Sequence, residues 1–466
     1  MSARTAFMFP GQGSYVPGVL AQLIDEFPSA QATLAQLDQM CDEQGHAPIS
    51  RLLIDPGAAS LDDLVADQSP DLDMALFSSN IVIYQMLVAA GLDADVVVGH
   101  SLGEVSAFTA AGALTLRDAT RLVFGRTTAL RSCSIPDGGM VALALGRDRA
   151  THLVGFIDEP SAVVTVDNGP DQCVISGPTT ALTAVEHIAA AAGIRATRLR
   201  AARPFHHPLL RDAAETFARD FADLPVAEPR IPVYSPVLGR YLTSAEDVRA
   251  WVARHLIQPV LFYDGLLRLY RDGVRRYVES GGRDTLTAMV STCLPAAAGT
   301  VAPLRRRCSA AEFRQAVGSV DAAGTDAVPA ATPPTIESTN GHRPTSFAPA
   351  TEQVAAPAPQ AEASAPPASL PAADELFAQI REIYAEALGY PVDLLDADVD
   401  LEADLGIDSI KQIEAFRLVR QRFGLPEPAA ELRVTSYSTL TELTELLRRL
   451  ADGAEQAPVP TGGIPR

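Results

Sequence analysis

Lysine is nearly missing from this 466-residue chain: Lys411 is the single lysine among 37 basic Lys and Arg residues. Because the basic groups recur everywhere as arginine, we read the scarcity as coding bias and not as mechanism. Cysteine is sparse too. The five cysteines (41, 133, 173, 293 and 308) are odd in number, scattered, and form no Cys-x-x-Cys pair. That excludes a disulfide framework and a zinc ribbon, leaves no metal site to expect, and fits the reduced thiols of a cytoplasm. No uninterrupted apolar run reaches the roughly 18–20 residues of a membrane span. Met1-Ser2-Ala3-Arg4-Thr5 leads straight into strand-like Ala6-Phe7-Met8-Phe9, without the long apolar segment and small-residue cleavage site of a signal peptide. Positive charge is in deficit, and a net charge of −20 argues against binding to phosphate backbones. The expectation is a cytoplasmic protein with no nucleic-acid and no membrane partner. Met1 and the short polar tail after Leu450 suggest a complete chain without a docking helix. What is present is enough apolar material, 47 % of residues, to build two or three domains.

One stretch organises the rest: Val96-Val97-Val98-Gly99-His100-Ser101-Leu102-Gly103-Glu104. A β-branched run predicts a buried strand, and Glu104-Val105-Ser106-Ala107-Phe108 predicts a helix. Gly-x-Ser-x-Gly between them suits a nucleophile elbow, a turn too sharp for Cβ atoms at its corners. Ser101 is then exposed at a helix N-terminus, where backbone N–H groups, Leu102 N–H among them, can bind a developing oxyanion. A plain glycine-bounded turn fits the bare motif as well.

Residues 1–300 alternate strand-like segments (5–9, 94–98, 139–145, 162–167, 172–176, 195–198, 275–279) with helical ones (16–40, 75–90, 102–112, 116–132, 179–192, 207–222, 246–256, 283–292). Such alternation predicts an α/β fold with a largely parallel sheet. Between 134 and 203 the order becomes strand, helix, strand, strand, helix, strand, which predicts an inserted ferredoxin-like βαββαβ subdomain. The first strand runs into Phe9-Pro10-Gly11-Gln12-Gly13-Ser14, a tight loop at the sheet edge where ligands bind. A serine nucleophile needs a base, and Arg203-Pro204-Phe205-His206-His207-Pro208 holds the chain's double histidine.

The string Gly-His-Ser-Leu-Gly-Glu resembles the acyltransferase domains of fatty-acid and polyketide synthases, the malonyl-CoA:acyl carrier protein transacylases. Phe9-Pro10-Gly11-Gln12-Gly13-Ser14 matches that family's opening signature, and the resemblance covers about residues 4–300, within an α/β-hydrolase-like core. It implies Ser101 as nucleophile, His206 as base, and the Gln12 and Leu102 N–H groups as oxyanion hole. It implies that Arg126, 25 residues after Ser101, grips the free carboxylate of a malonyl group, a task suited to a fork of donors that stays charged. It implies that the His255 carbonyl, in Arg254-His255-Leu256-Ile257-Gln258-Pro259-Val260, orients His206, with His255 standing where many members have Gln. Phe205 before the base, like Leu102 after the serine, goes with malonyl over methylmalonyl. Asn168-Gly169-Pro170-Asp171-Gln172-Cys173 resembles a family string of the small subdomain. Departures are Tyr15 for the usual Gln, His207 in a Ser slot, Asp73-Met74 where Gln-Pro is common, and Pro236 where Asn is usual. The last two bear on substrate choice.

Residues 321–371 hold ten prolines amid Ala, Ser and Thr, a composition that cannot bury enough to fold. They are expected to form a flexible linker spanning roughly 40 Å on average, the whole region after an acyltransferase domain of residues 1–304 being 305–371. Beyond it, 372–453 carries helical spacing at Leu376, Ile380, Ile383, Ala387 and Leu388. A helix follows from Asp408-Ser409 to about Phe423, then a short one near 427–433, and a last one from Leu440 to Leu450. A small four-helix bundle is the natural reading, with 454–466 a disordered tail. Residues 374–452 hold 17 Asp and Glu against 8 Lys and Arg, so this module is strongly acidic. Asp-Ser at a helix start is ordinarily an N-cap. The string Leu405-Gly406-Ile407-Asp408-Ser409-Ile410 in an acidic helical module resembles acyl carrier proteins. This implies 4′-phosphopantetheine on Ser409, added by a phosphopantetheinyl transferase from coenzyme A.

Together the resemblances imply an acyltransferase that moves a malonyl-type group from a coenzyme A thioester, through a Ser101 ester, to the arm on Ser409. A ketosynthase on another chain would use the product in polyketide or fatty-acid synthesis. The alternatives are a hydrolase that clears acyl groups with the same Ser101 and His206, and a non-enzymatic carrier beside a degenerate transferase domain.

Overall fold

In the computed structural model, the Val96-Val97-Val98 run lies at the centre of a sheet with all three side chains fully buried. The structure describes residues 4–320, except 68–69, 158–160, 202 and 296–297, and within 371–451 chiefly 373–388, 399–401, 409–423 and 439–451. These residues fall into two compact units, one within 4–320 and one within 371–451. The linker from 321, the short helix near 427–433 and the tail from 454 lie outside the described residues.

In chain order the described strands are β1 (Arg4–Phe9), β2 (Val96–Gly99), β3 (Gly138–Leu143), β4 (Val163–Gly169), β5 (Gln172–Pro178), β6 (Ala196–Arg198), β7 (Val233–Ser235), β8 (Arg240–Tyr241), β9 (Val260–Leu261), β10 (Val274–Glu279) and β11 (Gly299–Val301). Six of them form one sheet in the order β11-β10-β1-β2-β7-β8, parallel but for the β8 edge. Buried on both faces by helices, its inner strands read as continuous apolar runs. The register pairs Phe9 with Gly99, so the loop after β1 and the turn after β2 leave the same edge side by side.

The segment from 138 to 198 follows the order strand, helix (Arg147–Ile157), strand, strand, helix (Thr179–Ala191), strand. Its sheet runs β6-β3-β5-β4, antiparallel throughout, with a small core of its own around Val141, Ile175, Leu182 and Val185. β9 extends this sheet beside β4, in parallel. At two residues, β9 is too short for any periodicity to announce it, as are β7, β8 and β11.

Several boundaries differ from the sequence reading. The helix expected over 16–40 begins at Pro28, because Gly18 takes a φ of +63° and turns the chain against Pro56. The first unit does not end at 304. A helix, Ala310–Gly318, is capped by a reciprocal Ser309 and Glu312 pair and buries Phe313 and Val317 in the same core. The core therefore extends past 305, where the linker was expected to begin. Among the described residues one helix, Asp71–Ala89, is long and apolar enough to cross a membrane by length and composition, yet 78 % of its apolar window is buried inside the unit. It is a core helix, and its buried face carries Asp73.

The second unit contains helices Ala373–Leu388, Ser409–Phe423 and Leu440–Ala451. Leu376, Ile380 and Tyr384 form the fully buried stripe of the first of these. The stripe passes through Tyr384, leaving Ile383 half-buried and Ala387 exposed.

Candidate active site

The elbow forms as its glycines require. A Cβ on Gly99 would stand 2.2 Å from the Glu104 nitrogen, and one on Gly103 would stand 2.0 Å from the Phe9 carbonyl oxygen. Ser101 itself adopts a φ of +55°, a left-handed conformation that costs a non-glycine residue and persists where the surroundings enforce it. The helix Gly103–Ala110 starts directly behind it. Glu104 is fully buried, and its carboxylate accepts a hydrogen bond from the Val237 N–H at 3.2 Å. Burial pushes this carboxyl up to about 8.

Ser101 Oγ and His206 Nε2 are 2.7 Å apart. His206 also has a positive φ, +62°. Its Nδ1–H donates to the Gln258 carbonyl oxygen at 3.1 Å, which leaves Nε2 free to accept the serine proton. The carbonyl that accepts from Nδ1 at this distance is that of Gln258, and the expected His255 carbonyl also bonds the ring. The chain reverses in a tight turn after the Ala245–Arg254 helix, and this turn carries the Gln258 oxygen to the ring. Burial first, then Arg126 and His100, push the His206 imidazole down to about 3 against both carbonyls. It is a neutral base at any working pH. His207 plays no part in this: its Nδ1 accepts from the Leu209 N–H at 3.0 Å and its Nε2–H donates to the Ser161 carbonyl at 2.9 Å, fastening the loop.

Gly11 packs against the elbow, with the position of a Cβ 2.7 Å from the His100 carbonyl oxygen and 3.7 Å from Ser101 Cβ. Gln12 follows directly. Among the described residues, neither the Gln12 nor the Leu102 N–H donates to a protein acceptor. His100 Nε2 lies 2.9 Å from Asn168 Oδ1, tying the elbow to β4 of the smaller sheet.

Arg126 lies on the Leu116–Ser132 helix, 3 % exposed. Two of its three nitrogens, Nη1 and Nε, are engaged by protein side chains. Nη1 donates to Asp73 Oδ2 at 2.5 Å, Nε donates to His255 Nε2 at 3.1 Å, and the guanidinium carbon sits 4.6 Å from the Phe205 ring centroid. Asp73 accepts further from Thr127 Oγ1 at 3.2 Å and Gln12 Nε2 at 3.4 Å. Gln12, Asp73, Arg126, Thr127 and Phe205 line one pocket. The His255 side chain, fully buried and stacked on Trp251 at 4.2 Å, is lowered well below the ordinary histidine value by burial, Arg126 and His206. It is therefore neutral and can accept from Arg126. The sequence reading gave its side chain no role. The motif around Ser101 also said nothing of Gln258, Thr127 or Asn168, which belong to segments remote in sequence.

Ser409 opens the Ser409–Phe423 helix. A residue there stands at the positive end of a helix, which suits an attached phosphate.

Comparison with known proteins identifies the family. Residues 6–327 match the acyl transferase domain family, and residues 378–447 match the phosphopantetheine attachment site. The latter match indicates a covalently attached 4′-phosphopantetheine. The chain is 35 % identical over 304 residues, 64 % of its length, to the phenolphthiocerol synthesis polyketide synthase type I Pks15/1 of Mycobacterium marinum, but spans only 14 % of that protein. It is 29 % identical, over 62 % of its own length and 90 % of the other, to the malonyl CoA-acyl carrier protein transacylase of Bacillus subtilis. Among solved structures, FabD of Acinetobacter baumannii matches with a TM-score of 0.62 at 27 % identity, covering 70 % of this chain and all of that one. A holo complex of a type II polyketide synthase acyl-carrier protein with its malonyl-transacylase matches with a TM-score of 0.61 at 25 % identity, covering 68 % and 100 %. The family match takes in more than half of the sequence, and the chain belongs to the acyl transferase family.

Proposed function

We propose that this chain loads a malonyl-type acyl group from coenzyme A onto a phosphopantetheine arm carried on its own Ser409. The observation that carries the reading is the 2.7 Å contact between Ser101 Oγ and a neutral His206 Nε2, beside N–H groups of Gln12 and Leu102. His206 takes the Ser101 proton as the serine oxygen attacks the thioester carbon. The two N–H groups hold the oxyanion, and collapse of the tetrahedral adduct expels coenzyme A thiolate, which takes the proton back from His206. An acyl-serine ester remains. The arm supplies the accepting thiol. His206 then runs the same proton movements in reverse, and Ser101 is released as the hydroxyl. A buried Arg126 beside the pocket supports an acyl group that ends in a carboxylate.

On the same reading, a phosphopantetheinyl transferase modifies Ser409, and a ketosynthase elsewhere consumes the product in a cytoplasmic synthase. The segment 138–198 is a ferredoxin-like subdomain, and the second unit is a four-helix carrier bundle. Hydrolysis by the same pair is not favoured, since the chain carries its own attachment site for an accepting thiol and resembles a malonyl CoA-acyl carrier protein transacylase.

The test is intact-protein mass of the holo protein offered malonyl-, methylmalonyl- and acetyl-CoA, with Ser101→Ala and Ser409→Ala alongside. A malonyl adduct on the arm that needs both serines is expected. Free malonate without an adduct would replace the transferase reading by the hydrolase.

A further inference from the structure

Arg126, the group on which a malonyl carboxylate would sit, already holds a carboxylate of this chain. Asp73 is 5 % exposed, ion-paired to Nη1 at 2.5 Å, and fixed by two further donors, Thr127 Oγ1 and Gln12 Nε2. The remaining side of the guanidinium is no freer: Nε donates to His255 and the face lies on Phe205. A carboxylate can grip guanidinium in a two-bond fork through Nη1 with Nη2, or through Nε with Nη2. Each fork contains one nitrogen that is already committed. An incoming carboxylate must displace Asp73 or accept a single bond while standing near a second buried anion. Two carboxylates on one buried cation leave a net negative charge, which a water-poor site disfavours. An acyl group without a carboxylate meets neither obstacle, because the Arg126–Asp73 pair is neutral.

We propose that Asp73 is the specificity-determining residue of this acyl pocket, an internal competitor for the substrate carboxylate that narrows the preference for malonyl over carboxylate-free acyl groups. The proposal rests on the reading of the pocket given above and assigns it a broadened substrate class: small acyl thioesters with or without a terminal carboxylate.

The experiment compares the full chain with Asp73→Asn and Asp73→Gln, which keep an acceptor for Thr127 and Arg126 but remove the charge. Acylation of Ser101 is followed by intact mass with malonyl-CoA and acetyl-CoA. Wild type is expected to load the two with kcat/KM values within about tenfold of each other, and the neutral variants to widen the gap by about tenfold or more in favour of malonyl. The gain appears as a lower KM for malonyl-CoA, with acetyl-CoA little changed. A ratio that stays the same, or that moves toward acetyl, overturns the proposal. Binding of malonyl-CoA and acetyl-CoA to Ser101→Ala and to Ser101→Ala with Asp73→Asn separates this idea from the proposed reaction. If nothing acylates Ser101, the transferase reading falls. If Asp73→Asn still tightens malonyl-CoA selectively, the competition stands, and equal tightening or none refutes it. Thermal unfolding of each variant, with and without malonyl-CoA, shows that the fold is retained.

Discussion

The two halves of the site are built from different material. The proposed reacting pair is held by backbone: Ser101 and His206 both sit at positive φ, glycines at 99 and 103 admit backbone atoms at contact distance, and a main-chain carbonyl of Gln258 accepts from the imidazole. The proposed acyl pocket is held by side chains: Arg126 takes its position from Asp73, His255 and Phe205. Backbone geometry tolerates almost any neighbouring substitution but none at its own corners. A side-chain clamp can be retuned by one residue. Chemistry and specificity can therefore change independently in this fold.

The comparison breaks most completely at the corners. Gly103→Ala puts a Cβ into the Phe9 carbonyl, and backbone cannot give way as a side chain does. We expect loss of soluble protein, or of at least about a thousandfold in Ser101 acylation, the same order as removing the base in His206→Ala. Intact-mass kinetics with malonyl-CoA measure both. Full activity in Gly103→Ala would mean that the elbow relaxes and that its strain is incidental.

On the side-chain half the expected effects are smaller and reversible. Arg126→Ala strands Asp73 as a buried, uncompensated anion and should destabilise the fold by about 3–5 kcal/mol. Arg126→Ala with Asp73→Ala should recover much of that, because the charge that needed a partner is gone. Urea unfolding of the four proteins in a double-mutant cycle gives the coupling directly. Malonyl loading should be lost in both, while acetyl loading should return in the double variant.

Acidity separates the halves again. The folded His206 is held near 3 while the unfolded imidazole titrates near its ordinary 6.5. Below 6.5 the unfolded chain takes up a proton that the folded one refuses. The stability His206 permits is therefore full above 6.5 and shrinks as pH falls, by about 2 kcal/mol at pH 5. His206→Gln should flatten that part of the acid limb in urea titrations. The rate of serine acylation in wild type should stay level over the same range, since the base remains neutral until pH nears 3.

Which parts were legible beforehand follows the same division. A strand-turn-helix with glycine corners is local, so Ser101, its helix and the adjoining Gln12 loop could be read from one stretch and its neighbour. His206 was legible because a nucleophile needs a base and the double histidine offered one. Gln258 was not, since any residue type supplies a carbonyl and only the turn after 254 decides which oxygen faces the ring. The Asp73 departure stood out against the family pattern, but its pairing with Arg126 depends on how helices 71–89 and 116–132 face one another. Strands β7, β9 and β11 escaped because two or three residues carry no period.

His255 tests how far the side-chain half reaches into the backbone half. Its imidazole accepts from Arg126 Nε, and its ring lies 5.5 Å from that of His206, edge to face. Its Nδ1 is buried without a protein partner. A donor left unpaired there costs stability that a better-matched residue would not. His255→Gln supplies an amide oxygen for Arg126 Nε and leaves the main chain, and so the Gln258 carbonyl, in place. The expected result is a change in kcat of no more than about threefold, with any effect confined to the KM for malonyl-CoA. If kcat for malonyl-CoA and acetyl-CoA falls together by more than tenfold, the ring at 255 positions the base as well as the clamp, and the two halves are one network joined at this residue.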